Sequence, residues 1–116
     1  MFVRCLSFMY VRSKLHKHEE EHMAVKVLIK RKVGKEVAPL LEALLRKMRA
    51  LTLNRKGYIS GETFHRVDQE GVSLVISTWQ TIDNWREWIL SKERIELQEQ
   101  IDQLLGQPTE CEVFEN

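Results

Sequence analysis

A chain of 116 residues with 43% hydrophobic and 30% charged side chains suits one globular domain, large enough to bury roughly two-thirds of its unfolded surface. The formal net charge is +1, and basic and acidic residues balance from Met23 onward, so no net field draws a polyanion and nucleic acid is not an expected partner. No apolar run approaches the ~18–20 residues needed to cross a bilayer, so no membrane partner is expected either.

The first 22 residues differ in kind from the rest. MFVRCLSFMY is a short apolar patch and VRSKLHKHEEEH is polar, with no small-residue cleavage site where a secretory signal would need one. His16, His18 and His22 offer a divalent-metal tract, but a solvated tail is the simpler reading, and no metal site is assigned. Met23 lies at a suitable distance from a purine-rich coding stretch at Glu19-Glu20 to act as the start of translation. Residues 1–22 are therefore read as an N-terminal extension, poorly ordered or not native, and 23–116 as the folded domain. Cys5 and Cys111 stand at opposite ends without a C-x-x-C spacing, which reads as reduced thiols in a cytoplasmic setting.

Ala24 to Val33 alternates, with Val25, Val27, Ile29 and Val33 on one side and mostly lysines on the other, the period-2 pattern of a strand. After Gly34, residues Val37, Leu40, Leu41, Leu44, Leu45, Met48 and Leu51 form one apolar stripe at helical spacing. Pro39 is tolerated in the first turn, where its missing N–H has no helical partner. Asn54 to Gly57 forms the exit loop. Tyr58 to Asp68 and Val72 to Trp79 then read as a hairpin turning around Gln69, Glu70 and Gly71. Thr81 can cap a short helix carrying Trp85, Trp88 and Ile89; Ser91 can cap its continuation, with Ile95, Ile101, Leu104 and Leu105 inward. Gly106 and Pro108 end that helix, and Glu110 to Glu115 supplies a last strand.

The order is strand, helix, strand, strand, helix, strand: an α+β, ferredoxin-like βαββαβ antiparallel sheet with both helices on one face. Its other face carries Leu28 and one alternating set from each hairpin strand, Tyr58 with Phe64 or Ile59 with Val67, and Leu74 with Ile76 or Val75 with Trp79. An apolar sheet face requires a cover, and a homodimer joined through its sheets is the expected one.

GYISGET (Gly57 to Thr63), VISTWQTIDNWREWILSKER (Val75 to Arg94) and PTECEVFE (Pro108 to Glu115) give the chain, from about Ala24 to Glu115, a resemblance to the antibiotic biosynthesis monooxygenase family of dimeric ferredoxin-like proteins. The resemblance implies a pocket between helices and sheet in which a small aromatic or quinol substrate meets oxygen. It implies no flavin, metal or haem, because the substrate's own carbanion reduces oxygen while the protein takes a phenolic proton and stabilises an anion. Within 23–116 the residues agree in showing no Gly-rich phosphate loop and no helix with His at i and i+4.

The haem-degrading branch resembles this chain at Trp79 and Trp88. It places a haem-ligating His ten residues after the second Trp and an Asn in the first strand, where this chain has Gln98 and no Asn, so iron would lack its axial ligand. Haem degradation is disfavoured.

Among candidate site residues, His65 is the sole histidine after Met23 and the first acid–base candidate, against a reading in which it faces solvent beside Arg66. Trp88 matches the tryptophan that lines the family's pocket, while Trp79 and Trp85 serve equally as core or dimer contacts. Tyr58 can bond a phenolate or quinone oxygen, or belong to the dimer face. Arg94 can hold an anionic substrate, or lie on a solvated helix surface among Glu93, Glu96 and Glu99. Asn84 can stabilise an oxyanion, or cap its own helix. Three functions follow: a cofactor-independent monooxygenase, a non-catalytic module binding a small apolar metabolite, or a structural or stress-related dimer whose tryptophans only fill a core.

Overall fold

The computed structural model describes residues 2–4 and 23–115. Five strands and three helices follow in the order β1 (Phe2–Arg4), β2 (Val25–Lys32), α1 (Ala38–Thr52), β3 (Tyr58–His65), β4 (Val72–Trp79), α2 (Ile82–Ile89), α3 (Lys92–Leu105) and β5 (Glu110–Glu115). All strands run antiparallel to their neighbours in the order β1-β5-β2-β4-β3. From β2 onward this is the ferredoxin-like βαββαβ arrangement, with its second helix broken into α2 and α3.

The alternation of β2 has the expected result. Val25 and Val27 are buried and Lys26 and Lys30 are exposed, and pairing with β4 sets Val25 opposite Trp79 and Ile29 opposite Val75. One core joins Val25, Val27, Trp79, Cys111 and Val113 of the sheet to Ile82, Trp85, Trp88 and Ile89 of α2, with Met48 and Leu51 of α1 packed against it. Leu40 departs from its expected place: it is 60% exposed, because at the start of α1 it lies on the margin of the stripe that Leu41 leads inward.

The helix breaks are local chemistry. Thr81 Oγ1 accepts the Asn84 N–H at 3.0 Å, and Ser91 Oγ accepts that of Arg94 at 3.4 Å. These two caps satisfy donors that helix geometry leaves without partners. Gly106, at φ 74°, ends α3 in the left-handed conformation that glycine adopts without strain.

Two findings correct the sequence reading. The first concerns the hairpin. Tyr58 pairs with Trp79 but Ser60 pairs with Thr78, a bulge at Ile59; an extra residue in one strand reverses the parity of all that follows. Tyr58 therefore lies on the helix side with Trp79, while Phe64, opposite Leu74, lies on the other. Tyr58 and Phe64 therefore do not share one face, and Val67 of the other expected set lies beyond the end of β3. In β4 it is Leu74 and Ile76 that point away from the helices, on the side of Leu28.

The second concerns the N-terminal extension and the thiols. Phe2–Arg4 forms an additional strand, with Val3 opposite Cys111; the histidine tract and the remainder of residues 1–22 lie outside the described residues. Cys111 is buried and disulfide-bonded rather than a reduced thiol. The chain's other cysteine, Cys5, lies outside the described residues. Without β1 in the topology, nothing in the spacing of two distant cysteines brings the N-terminal end alongside β5.

Candidate functional site

Trp79 ends β4 and Trp88 lies on α2, and the cap at Thr81 sets the angle at which chain and helix meet. The two indoles stack with centroids 6.4 Å apart and planes inclined by 23°. Tyr58 meets Trp79 edge-on at 5.3 Å and 71°, an arrangement that the quadrupoles of aromatic rings favour. The Trp79 indole N–H donates to Ser77 Oγ at 3.2 Å.

Trp88 is 6% exposed and forms one wall of a cleft of about 190 Å³ lined otherwise by Asn54, Arg55, Lys56, Asn84 and Glu87. The Arg55 guanidinium lies over the Trp88 ring, 5.3 Å from its centroid, within range of a cation–π attraction. The cleft thus offers an aromatic wall, two cations, two amides and one carboxylate. An apolar cavity of ~150 Å³ holds a benzene ring, so the volume suits one ring. A phenol bound here would have its oxygen near cations, which favour the phenolate.

Gly57 links the exit loop to β3 and has φ +86°; a Cβ there would fall 2.3 Å from the Asn84 side chain. Only glycine lets this loop close on α2. Asn84 lies in the first turn of α2 and is held by the cap, its N–H bonded to Thr81 and its Oδ1 accepting the Thr81 hydroxyl at 2.9 Å, and it lines the cleft as well.

The structure brings together four of the expected residues and separates three. Trp88 and Asn84 share the cleft, with Trp79 stacked behind Trp88 and Tyr58 against Trp79. Burial raises the Tyr58 phenol above its ordinary value, with Arg49 opposing. Trp85 is 2% exposed and belongs to the core. His65 is exposed and pairs with Ser73, six residues along β4 from Trp79, or ~20 Å at strand rise; it does not reach the cleft.

Arg94 is not on a solvated surface. It is 3% exposed, and α3 turns inward the set Arg94, Leu97, Gln98 and Ile101, one helical face with two polar members. Burial lowers the Arg94 guanidinium to about 10, opposed by Asp102 and reinforced by Arg31. Asp102 Oδ1 accepts from Gln98 Nε2 at 2.8 Å, Thr109 N at 3.1 Å and Thr109 Oγ1 at 2.8 Å, which ties the C-terminal end of α3 to the start of β5. Gln98 Nε2 is occupied in this tie.

Sequence reasoning missed Asn54, Arg55, Lys56 and Glu87. A signal existed for Glu87, since Asn84, Glu87 and Trp88 fall at i, i+3 and i+4 on one face of α2. For the loop residues none did, because their place depends on the closure at Gly57. Among the described residues no three or more His, Cys, Asp or Glu side chains cluster as metal ligands do, and no helix is long and apolar enough to cross a membrane.

No protein-family model and no curated protein sequence matches the chain. Solved structures do. A conserved protein of Methanosarcina mazei Go1 superposes with a TM-score of 0.72 at 18% identity, over 84% of this chain and 96% of that one. SnoaB of Streptomyces nogalater, a cofactor-independent oxygenase, superposes at 0.67 and 15% identity, over 78% and 90%. A candidate antibiotic biosynthesis monooxygenase of Caulobacter crescentus CB15 superposes at 0.73 and 15% identity, over 87% and 96%. The resemblance first carried by the tryptophan-rich segment thus extends to the backbone: this chain has the ferredoxin-like fold found in proteins described as antibiotic biosynthesis monooxygenases.

Proposed function

We propose that the protein is a monooxygenase of the antibiotic biosynthesis type, acting without cofactor on a single-ring phenol or hydroquinone. The observation that carries this reading is the cleft at Trp88, with Arg55 over the indole and Asn84 at the rim, within a fold shared with a cofactor-independent oxygenase. The ring would lie against Trp88. Its oxygen, close to Arg55 and Lys56, would ionise more readily, and the electron-rich anion would itself reduce oxygen, so the protein supplies placement and charge stabilisation. Glu87 is the carboxylate nearest to hand for the phenolic proton.

The test is oxygen consumption with a panel of single-ring hydroquinones. Wild-type protein should exceed buffer and a Trp88→Ala variant; equal rates for all three across the panel would refute the enzyme reading. A second reading, a non-catalytic module binding the same ring, is favoured by the position of His65, which leaves no imidazole among the described residues that line the cleft. Saturable phenol binding without oxygen uptake would select it.

The working unit in this proposal is a homodimer. Leu28, Phe64, Leu74, Ile76 and Phe114 fall on the sheet face away from the helices, and Phe64 and Phe114 are each 48% exposed. A second copy would cover that face.

A further inference from the structure

Another hollow, of about 460 Å³, shares no residue with the Trp88 cleft and is bounded by Lys30, Arg31 and Lys32 of β2, Leu105 at the end of α3, Pro108 of the loop after it, and Glu110 of β5. It opens where the sheet changes partners: β5 is paired with β2 only along Val25–Leu28. Beyond Leu28 the edge of β2 is left without β5.

Arg31 is the informative residue here. By strand parity it lies on the helix side with Val27 and Ile29, and it is 7% exposed. Its Nε–H is buried without a hydrogen-bond partner. Burial lowers the guanidinium below its ordinary range, with Asp102 as the opposing influence. Oδ1 of that carboxylate is already engaged, accepting from Gln98 and twice from Thr109. A buried donor left unpaired is destabilising, more so on a charged group. Arg31 also lines the hollow, which can therefore hold an acceptor for the rest of the guanidinium.

We propose that this hollow binds a small organic carboxylate, its oxygens accepting from the Arg31 guanidinium and the apolar body lying along Leu105 and Pro108. The planar guanidinium matches carboxylate geometry. Lys30 and Lys32 at the rim offset Glu110 and Glu112, which also line the hollow, so the approach is open to a monoanion. The apolar wall selects an organic acid over inorganic phosphate. The site is separate from the oxygenase reading and stands or falls independently of it.

The test titrates benzoate into ¹⁵N-labelled full-length protein and follows the arginine Nε–H resonances, that of Arg31 assigned by its loss in Arg31→Lys. The expected result is a saturable shift of the Arg31 signal, absent with sodium chloride at matched ionic strength and weaker with inorganic phosphate. Calorimetry should show benzoate affinity falling about tenfold or more in Arg31→Met, the scale for losing one charge-assisted hydrogen bond. If circular dichroism shows that Arg31→Met does not fold, Leu105→Trp, which fills the hollow and keeps Arg31, should abolish the shift. An unmoved Arg31 resonance, a shift reproduced by chloride, phosphate binding as tight as benzoate, or unchanged affinity in the folded variants would each overturn the proposal.

Discussion

The Arg55 guanidinium stands over the indole of Trp88 at 5.3 Å from the ring centroid, which joins the loop after α1 to the body of α2 and gives the cleft both its aromatic wall and its charge. If a phenolate binds there, Arg55→Ala removes the cation but leaves the indole. Affinity for a single-ring phenol should fall about tenfold, the scale of a partly desolvated charge interaction, while Arg55→Lys should retain part of it. Equilibrium binding followed by tryptophan fluorescence measures both.

The Trp79–Trp88 stack is core as well as wall. Trp79 is 1% exposed and packs between Tyr58 and Trp88, so Trp79→Ala should cost ~3–5 kcal/mol, the range for deleting a buried aromatic. Urea unfolding by circular dichroism gives the value. A loss below ~1 kcal/mol would mean that the indole is held far more loosely than its burial indicates.

The two helix caps should be separable. Thr81→Ala and Ser91→Ala each remove one acceptor for an N-terminal N–H and should cost ~1 kcal/mol apiece. Thr81→Ala should additionally weaken phenol binding, because the Thr81 hydroxyl also holds Asn84 at the cleft; Ser91→Ala should leave binding unchanged. Chemical denaturation and the fluorescence titration together distinguish them.

Tyr58 sets a pH dependence whose sign follows from its burial. Its folded-state value lies above the ordinary 10, so above pH 10 the unfolded chain loses the phenolic proton first. The native state then binds more protons than the unfolded one, and stability falls with rising pH until the folded-state value is passed. Below pH 10 the contribution is fully present. Tyr58→Phe should therefore show a shallower decline in this alkaline window, read from denaturation midpoints at successive pH values.

The bare sheet face predicts the oligomeric state. Phe64→Lys puts a charge among Leu74, Ile76 and Leu28, on a strand whose own fold does not need Phe64 buried. Sedimentation should show a dimer for the wild type and a monomer for the variant, with the circular dichroism spectrum preserved. A monomeric wild type at micromolar concentration would defeat the dimer proposal.

What was legible in the chain was local. The alternation of β2, the stripe of α1 and the caps at Thr81 and Ser91 each depend on neighbours within a few residues, and they led to the right element order. What was not legible depends on distant segments. Arg94 sits among three glutamates in sequence, yet the inward face of α3 is set by Leu97 and Ile101, and Arg94 and Gln98 share that face. His65 lies close to the tryptophans only along the chain; the length of the hairpin carries it away. Trp88 was read as a pocket residue from a resemblance, while Arg55, which completes the cleft, comes from a loop whose closure on α2 needs a glycine at 57. Strand β1 could not be read from three residues with no pattern of their own.

The extra residue at Ile59 divides one short strand between two duties. Ahead of it, Tyr58 serves the indole cluster; behind it, Phe64 faces outward. Deleting Ile59 would restore strict alternation and force a choice, either withdrawing the phenol from Trp79 or turning Phe64 toward the helices. If the cleft takes a guest and the sheets pair as proposed, the two would then no longer vary independently, and a single-codon deletion in β3 should disturb both at once.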